Sequence, residues 1–287
     1  MPDVALVTPS HRRDLARCEL LCQSVDRHVT GYSHHHVLVP ADDVARFGHL
    51  AGPERSVSSN RPLLPRWLHP LPSVVHRKQR TIAWSRHGWP LTGWHTQQLV
   101  KLAAATTLGH DVVVNLDSDV VFLRAFDVGP FTAGTAPLVC VPEAITAAHV
   151  DHVRWLANAH RLLGLPEPAV PATDHIDTVV VWRADTVRAL LDRIEATSGR
   201  PWAITLTRVR AFSEYLLYGV HVVSDDAASA GHHPTAESFS RSHWDPEPLD
   251  ADGLAALVAG MAPHEVALHV QSFSRTPVEL VRAAAGL

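Results

Sequence analysis

The sequence predicts an α/β fold in which a mainly parallel sheet is covered by helices on both faces. Apolar, β-branched runs alternate with amphipathic stretches of helical period along most of the 287 residues, as in repeated strand–helix units. Hydrophobic residues make up 46% of the chain and charged residues only 19%, so a large core can be buried. There is no internal repeat and no low-complexity linker. We therefore expect a single domain over residues 1–287.

The first half of the chain is predicted to hold two strand–helix units, an irregular excursion and a further helix. Val4–Pro9 is a short apolar strand, and an amphipathic helix follows over Asp14–Arg27. His35–Pro40 is the second strand, and the aspartates after it suit a helix start. Residues 52–90 are rich in Pro, Arg, His and Trp without clear periodicity, which suggests a surface excursion with a short hairpin as one option. Thr96–Leu108 is a helix ended by a glycine.

The second half continues the alternation of β-branched strands and amphipathic helices. The predicted strands are Asp111–Leu116, Val120–Leu123, Asp177–Arg183, Val220–Val223 and Glu265–Val270. The predicted helices are Pro142–Leu163, Asp185–Ala196, Ala211–Val220 and Thr276–Ala285.

Charge and hydropathy exclude two classes of partner. The formal net charge is -4 and the Lys and Arg residues are scattered singly, so a nucleic-acid partner is not expected. The N-terminus lacks the pattern of a secretory signal, and no apolar run is long enough for a transmembrane segment. These patterns predict a soluble cytoplasmic protein.

An acidic triplet interrupts the most apolar part of the chain. In DVVVNLDSDVVFL, residues 111–123, Asp117 and Asp119 flank Ser118 directly after a predicted buried strand. Ligands of such sheets bind beyond the carboxyl edge. Two close carboxylates repel each other and resist desolvation, so a bound Mg²⁺ or Mn²⁺ that holds a diphosphate explains them best. The alternative is an acidic turn that caps the segment after it.

A hydrophobic strand that runs into D-x-D in mid-chain, after two strand–helix units, resembles the GT-A-fold nucleotide-sugar glycosyltransferases. The segments TPSHRRDLARCELLCQSVDR, GWHTQQLVKLAAA, NLDSDVVFLRAF, DTVVVWR, FSEYLLYG and LHVQS are similar, in order and spacing, to a bacterial family of GT-A-like proteins. The resemblance spans nearly the whole chain. It implies a single GT-A-like, Rossmann-related domain, with residues 1–119 as the nucleotide-binding half and 120–287 as the acceptor-side half.

The activity that the resemblance implies is a metal-dependent glycosyl transfer. A sugar moves from a nucleoside diphosphate sugar to an acceptor hydroxyl on a glycan, a lipid-linked glycan or a small molecule. The implied nucleoside contacts are Thr8, Pro9, Ser10 and the acidic Asp42-Asp43, and the implied sugar-phosphate contacts are Gln97, Gln98 and Lys101. Asp117 is implied to reach the ribose or a metal-bound water, and Ser118 belongs to the implied donor-binding residues. The implied ligands of Mn²⁺ or Mg²⁺ are Asp119, Asp117 and His269. For several of these a plain turn, helix cap or core role stays open.

Two carboxylates are candidates for the acceptor side. Glu214, in the segment FSEYLLYG, is the better candidate, because this segment matches the resembled family closely and a carboxylate near a sugar hydroxyl can take its proton. Its alternative role is a charge that stabilises a helix start. Asp177 precedes a β-branched strand, but Asp177-Thr178 lacks the Asn and Gly that GT-A enzymes usually carry there.

Two other functions stay open. The triplet and Ser224-Asp225-Asp226 also fit the acidic motifs of a haloacid-dehalogenase-like, Mg²⁺-dependent phosphatase. Against this, more than 100 residues precede the triplet, and no lysine follows Lys101 to bind the phosphate. The third possibility is a GT-A module that binds a nucleotide sugar without turnover.

Overall fold

A computed structural model describes residues 3–70, 82–133, 136–224 and 231–287 of the chain. The strands are β1 (Val4–Pro9), β2 (Val29–Thr30), β3 (His34–Val39), β4 (Arg55–Ser59), β5 (Leu68–Pro70), β6 (Ile82–Ser85), β7 (Leu91–Thr92), β8 (Val112–Leu116), β9 (Val120–Phe122), β10 (Phe126–Asp127), β11 (Ala136–Val139), β12 (Val141–Ile145), β13 (Ala172–Asp174), β14 (Val179–Arg183), β15 (His232–Thr235), β16 (Ser240–His243) and β17 (Ala267–Val270). The α-helices are α1 (Leu15–His28), α2 (Val44–Phe47), α3 (Gly93–Thr107), α4 (Val150–Leu162), α5 (Ala184–Ser198), α6 (Trp202–Thr207), α7 (Glu214–Ser224), α8 (Ala251–Ala259) and α9 (Val278–Ala285).

A mainly parallel, five-stranded sheet forms the centre of the fold, as the sequence predicts, with the order β14-β8-β1-β3-β4. Strands β8, β1, β3 and β4 are parallel, and β14 is antiparallel to β8. From β1 the chain adds β3 and β4 on one side and later adds β8 on the other. The order of the sheet therefore reverses between β1 and β8. In open α/β sheets this switch point leaves a crevice at the carboxyl ends of the strands.

Helices cover both faces of this sheet because alternate strand residues are apolar on both sides. On one face Val4 and Val114 lie in a core cluster with Leu21 of α1. On the other face Val7 and Val113 lie in a second cluster that includes residues of α3, α5 and α7. The prediction of helices on both faces is thereby confirmed.

The excursion over residues 52–90 contains more regular structure than its composition predicts. Strand β4 is a parallel member of the central sheet, paired with β3 over its full length. Strands β5, β6 and β7 form a small antiparallel sheet, which agrees with the hairpin option. Residues 71–81 of the excursion lie outside the described residues.

One predicted element is wrong in its start and another in its type. The helix predicted over Pro142–Leu163 begins only at Val150, because residues 141–145 form β12, which pairs with β13. The strand predicted over Val220–Val223 is instead the last turn of α7. Its β-branched residues favour a strand locally, but the helix is buried against the core along most of its length, and packing outweighs propensity.

Candidate functional site

Two triplets meet at the crevice between β1 and β8. Thr8-Pro9-Ser10 ends β1, and Asp117-Ser118-Asp119 follows β8. The backbone N–H of Ser10 donates to the carbonyl of Leu38 at 2.9 Å, and that of Asp117 donates to the carbonyl of Thr178 at 3.4 Å. Neighbouring strands thus fix the backbone of both triplets at one edge of the sheet.

The side chain of Asp117 accepts a hydrogen bond from a buried lysine. Lys101 Nζ, on α3, lies 2.8 Å from Asp117 Oδ1 and 3.0 Å from Glu214 Oε1, and it also donates to the hydroxyl of Tyr215 at 2.6 Å. The lysine side chain is only 3% exposed and that of Glu214 only 5%. Helices α3 and α7 are therefore joined by one cation held between two carboxylates.

This lysine keeps its charge despite its burial. Desolvation alone would lower the pKa of Lys101, but the surrounding Asp117, Tyr215 and Glu214 raise the pKa well above its ordinary value. A buried ion pair of this kind is stabilising only while both partners are present, since either charge left alone would be desolvated without compensation.

The side chain of Asp119 makes different contacts from that of Asp117. Its Oδ1 lies 3.5 Å from Nε2 of His269, on β17, and its Oδ2 accepts a hydrogen bond from the backbone N–H of Ser272 at 2.9 Å. Burial would raise the pKa of Asp119, but the imidazole and the N–H lower it overall. Trp244 packs against the imidazole of His269, with ring centroids 4.5 Å apart. Asp119 is therefore an anionic, buried oxygen donor beside a histidine held in place by packing.

Asp119 and His269 are better placed to hold a divalent cation than the predicted set of Asp117, Asp119 and His269 together. Asp119 and His269 are close enough to share one ion, whereas the near oxygen of Asp117 is bonded to Lys101. Among the described residues no group of three or more His, Cys, Asp and Glu side chains is arranged to hold a metal ion. Mg²⁺ in nucleotide enzymes is often held by one or two protein ligands plus substrate phosphates and water. The donor set therefore suits a cation that arrives with a diphosphate.

Asp177 lies at the same edge but is not exposed to a crevice. It precedes β14, which is antiparallel to β8, and its Oδ1 accepts hydrogen bonds from the Thr178 N–H and from the hydroxyls of Ser238 and Ser240. Its Oδ2 has no hydrogen-bond partner among the described residues. Burial raises the pKa of Asp177 to about 6, against the opposing effect of these hydrogen bonds.

The predicted nucleoside contacts are only partly brought together. Gln97 Nε2 donates to the carbonyl of Pro9 at 3.3 Å, so α3 does contact the end of β1. The hydroxyl of Thr8, however, is buried and bonded to His35 at 3.0 Å. Asp42 is exposed after β3, whereas its neighbour Asp43 is buried.

Gln98 is buried in α3, and neither atom of its side-chain amide has a hydrogen-bond partner among the described residues. Asp225 and Asp226, the second acidic motif of the phosphatase alternative, lie outside the described residues.

Sequence reasoning missed four polar or aromatic neighbours of the site, namely Tyr215, Ser238, Ser240 and Trp244. Ser238 and Ser240 carried a readable signal, because side chains two positions apart in an extended chain point the same way. Tyr215 and Trp244 carried none, because their partners lie more than 20 positions away in the chain.

The fold and site together define a class: an α/β protein with a buried, mostly acidic site at the switch point of a mainly parallel sheet. The sequence matches the family of unknown function DUF6492 over residues 1–279, and the chain belongs to that family. No curated protein matches the sequence. Within the described ranges, no helix is both long and apolar enough to cross a membrane.

Proposed function

We propose that this protein is a metal-dependent glycosyltransferase with a GT-A-like fold that uses a nucleoside diphosphate sugar as donor. The observation that carries the proposal is the arrangement of Asp117-Ser118-Asp119 at the switch-point crevice, with the buried Lys101 on one side and His269 on the other. Carboxylates bind a divalent cation, and a positively charged side chain favours the anionic diphosphate. Both kinds of charge lie at this strand edge. The residue pattern that resembles GT-A enzymes supports the same activity.

In this proposal Asp119 and His269 would hold the cation. When bound, Mn²⁺ or Mg²⁺ neutralises the charge that develops on the departing diphosphate. Ser118 and the nearby Gln97 orient the donor, and the exposed Asp42 contacts the nucleoside.

Lys101 supplies a fixed positive charge beside the phosphates, and Glu214 holds it there. Glu214 is buried and bonded to Lys101 at 3.0 Å, so it is not free to take the acceptor proton, although burial raises its pKa. Asp177 has an uncommitted Oδ2 and a pKa raised to about 6, but its side chain is buried as well, so neither carboxylate is assigned the role of base.

A donor screen tests the proposed function directly. Thermal melting of the protein is measured with each common nucleoside diphosphate, with and without Mn²⁺. A metal-dependent rise for one nucleotide is expected, with the matching nucleotide sugar then slowly releasing free nucleoside diphosphate. Release of inorganic phosphate from phosphorylated substrates would support the phosphatase instead. Metal-dependent nucleotide binding without release of nucleoside diphosphate or inorganic phosphate would support the third possibility, a module that binds a nucleotide sugar without turnover.

His269→Ala separates a metal ligand from a core histidine. We expect Mn²⁺ affinity, measured by titration calorimetry in the presence of nucleoside diphosphate, to fall by at least about tenfold. The control is His243→Ala, on the adjacent strand β16, whose imidazole bonds to the carbonyl of Glu247. A His269→Ala protein with a lowered melting temperature but unchanged Mn²⁺ affinity would show that the residue serves packing alone.

A further inference from the structure

A cavity lined by Trp89 lies at the start of α3, the helix that carries Lys101, and has no role in the proposed chemistry. Its volume is about 350 Å³, and its walls include Trp89, Leu91, Thr92, His95, Val209 and Arg210; we call it the tryptophan cavity. This volume is within the usual range of small-molecule sites. Trp89 is 54% exposed, so the part of its ring that Arg210 does not cover is open to ligand.

The chain holds the two walls of the cavity firmly together. A Cβ atom on Gly88 would lie 2.4 Å from the carbonyl oxygen of Thr207, so the two backbones approach as closely as only glycine allows. Arg208 Nε donates to the carbonyl of His87 at 2.8 Å. His95 Nε2 donates to the carbonyl of Arg210 at 2.6 Å. The cavity is therefore a preformed feature.

The chemistry of the walls combines an aromatic surface with unused donors. The guanidinium of Arg210 lies over the Trp89 ring, 3.6 Å from its centroid. Among the described residues, Arg210 has no carboxylate partner. An indole offers an apolar surface to the C–H face of a pyranose ring, and a guanidinium offers fixed N–H donors to hydroxyl or carboxylate groups. A hydroxyl-rich ring with one apolar face matches both.

Residues that line the cavity lie on α3, which carries Lys101, or contact the segment just before Glu214. His95 and Lys101 both lie on α3, six positions apart, which is about 9 Å along a helix. The ring of His95 lies 6.0 Å from that of Phe212, two residues before Glu214. Because α3 precedes the parallel strand β8, its first turn lies at the same edge of the sheet as the acidic triplet.

We propose that the tryptophan cavity binds a saccharide, with Trp89 stacking on one ring and Arg210 bonding to its polar edge. Its role as an acceptor subsite rests on the proposed glycosyl transfer. The separation of about 9 Å along the helix exceeds one sugar ring, so an acceptor disaccharide reaches the site better than a monosaccharide.

Saturation-transfer NMR of the full chain tests this, with cellobiose, lactose and N,N′-diacetylchitobiose as probes and no nucleotide or metal present. At least one disaccharide is expected to bind, and Trp89→Ala should weaken its Kd by about tenfold. Trp89→Phe should recover part of the loss. The matched control is Trp84→Ala, which removes a tryptophan of 47% exposure from the same small sheet but not from the cavity.

Three outcomes would overturn the proposal: no disaccharide binds at millimolar concentration, Trp84→Ala weakens binding as much as Trp89→Ala, or Trp89→Ala only changes self-association in sedimentation. The assay is independent of the donor site. If the protein binds saccharide but no nucleoside diphosphate, glycosyl transfer is refuted and the cavity remains a saccharide site. If it binds nucleoside diphosphate but no saccharide, only the proposal for the tryptophan cavity is refuted.

Discussion

Asp119→Ala is expected to abolish the stabilisation of the protein by nucleoside diphosphate and Mn²⁺. The substitution removes the anionic oxygen beside His269, so the cation loses the stronger of its two proposed protein ligands. At ligand concentrations near 100 times the wild-type Kd, the lost stabilisation amounts to about 2.7 kcal/mol. Thermal melting with titration calorimetry measures it, with Mn²⁺ and nucleotide added separately and together.

Asp111→Ala is the matched control, because Asp111 precedes the same strand β8 at its opposite end. Its nucleotide response should equal that of the wild type. The substitution at Asp119 removes one of the two acceptors of the Ser272 N–H, which keeps its bond to Gln271 Oε1, so the loss of stability in the absence of ligand should stay within about 1 kcal/mol. Unchanged metal-dependent affinity in Asp119→Ala, once that loss is accounted for, would remove the acidic triplet from the metal site.

Lys101→Met is expected to lower the free energy of unfolding by about 3–5 kcal/mol, because it leaves Glu214 buried without its cation. Burial raises the pKa of Glu214, and Lys101 opposes that rise. In the variant the opposing effect is lost, so the folded-state pKa exceeds the unfolded value further. A group of this kind costs nothing below its unfolded pKa and destabilises as pH rises through the folded pKa. The loss of unfolding free energy in Lys101→Met, relative to wild type, should therefore be larger at pH 8 than near pH 5.

A double-mutant cycle identifies the partner. Glu214→Gln alone should cost less than Lys101→Met, since Lys101 keeps its bond to Asp117. Glu214→Gln combined with Lys101→Met should recover much of the lost stability, because the carboxylate that still lacks Lys101 is then Asp117, whose side chain is 26% exposed to solvent. Urea unfolding at both pH values supplies the free energies. Additive losses, or a deficit independent of pH, would show that the two residues do not act as a pair. If the recovered double variant still lacks transfer activity, the charge of Lys101 serves chemistry as well as stability.

Strands of the central sheet were predicted correctly where their own residues form an apolar run. β1, β8 and β14 are mainly apolar, valine-rich and almost fully buried, and each was predicted from its own residues. β4 was missed because RSVSS is short and polar, and only its pairing with β3 makes it a strand. The last turn of α7 was predicted as a strand because local propensity favoured one, whereas burial in the core keeps it helical.

By itself, the sequence determined the α/β fold class and the position of Asp117-Ser118-Asp119 at the end of a buried strand, because both depend on residues that are neighbours in the chain. Only the tertiary structure decided the partner of each carboxylate. Lys101 and Glu214 stand 113 positions apart, and Asp119 and His269 are brought together by the pairing of β9 with β17. Hydrogen bonds and ion pairs act over a few ångströms, so whether an acidic side chain faces a lysine or a histidine depends on how distant segments pack, and a single sequence does not specify that.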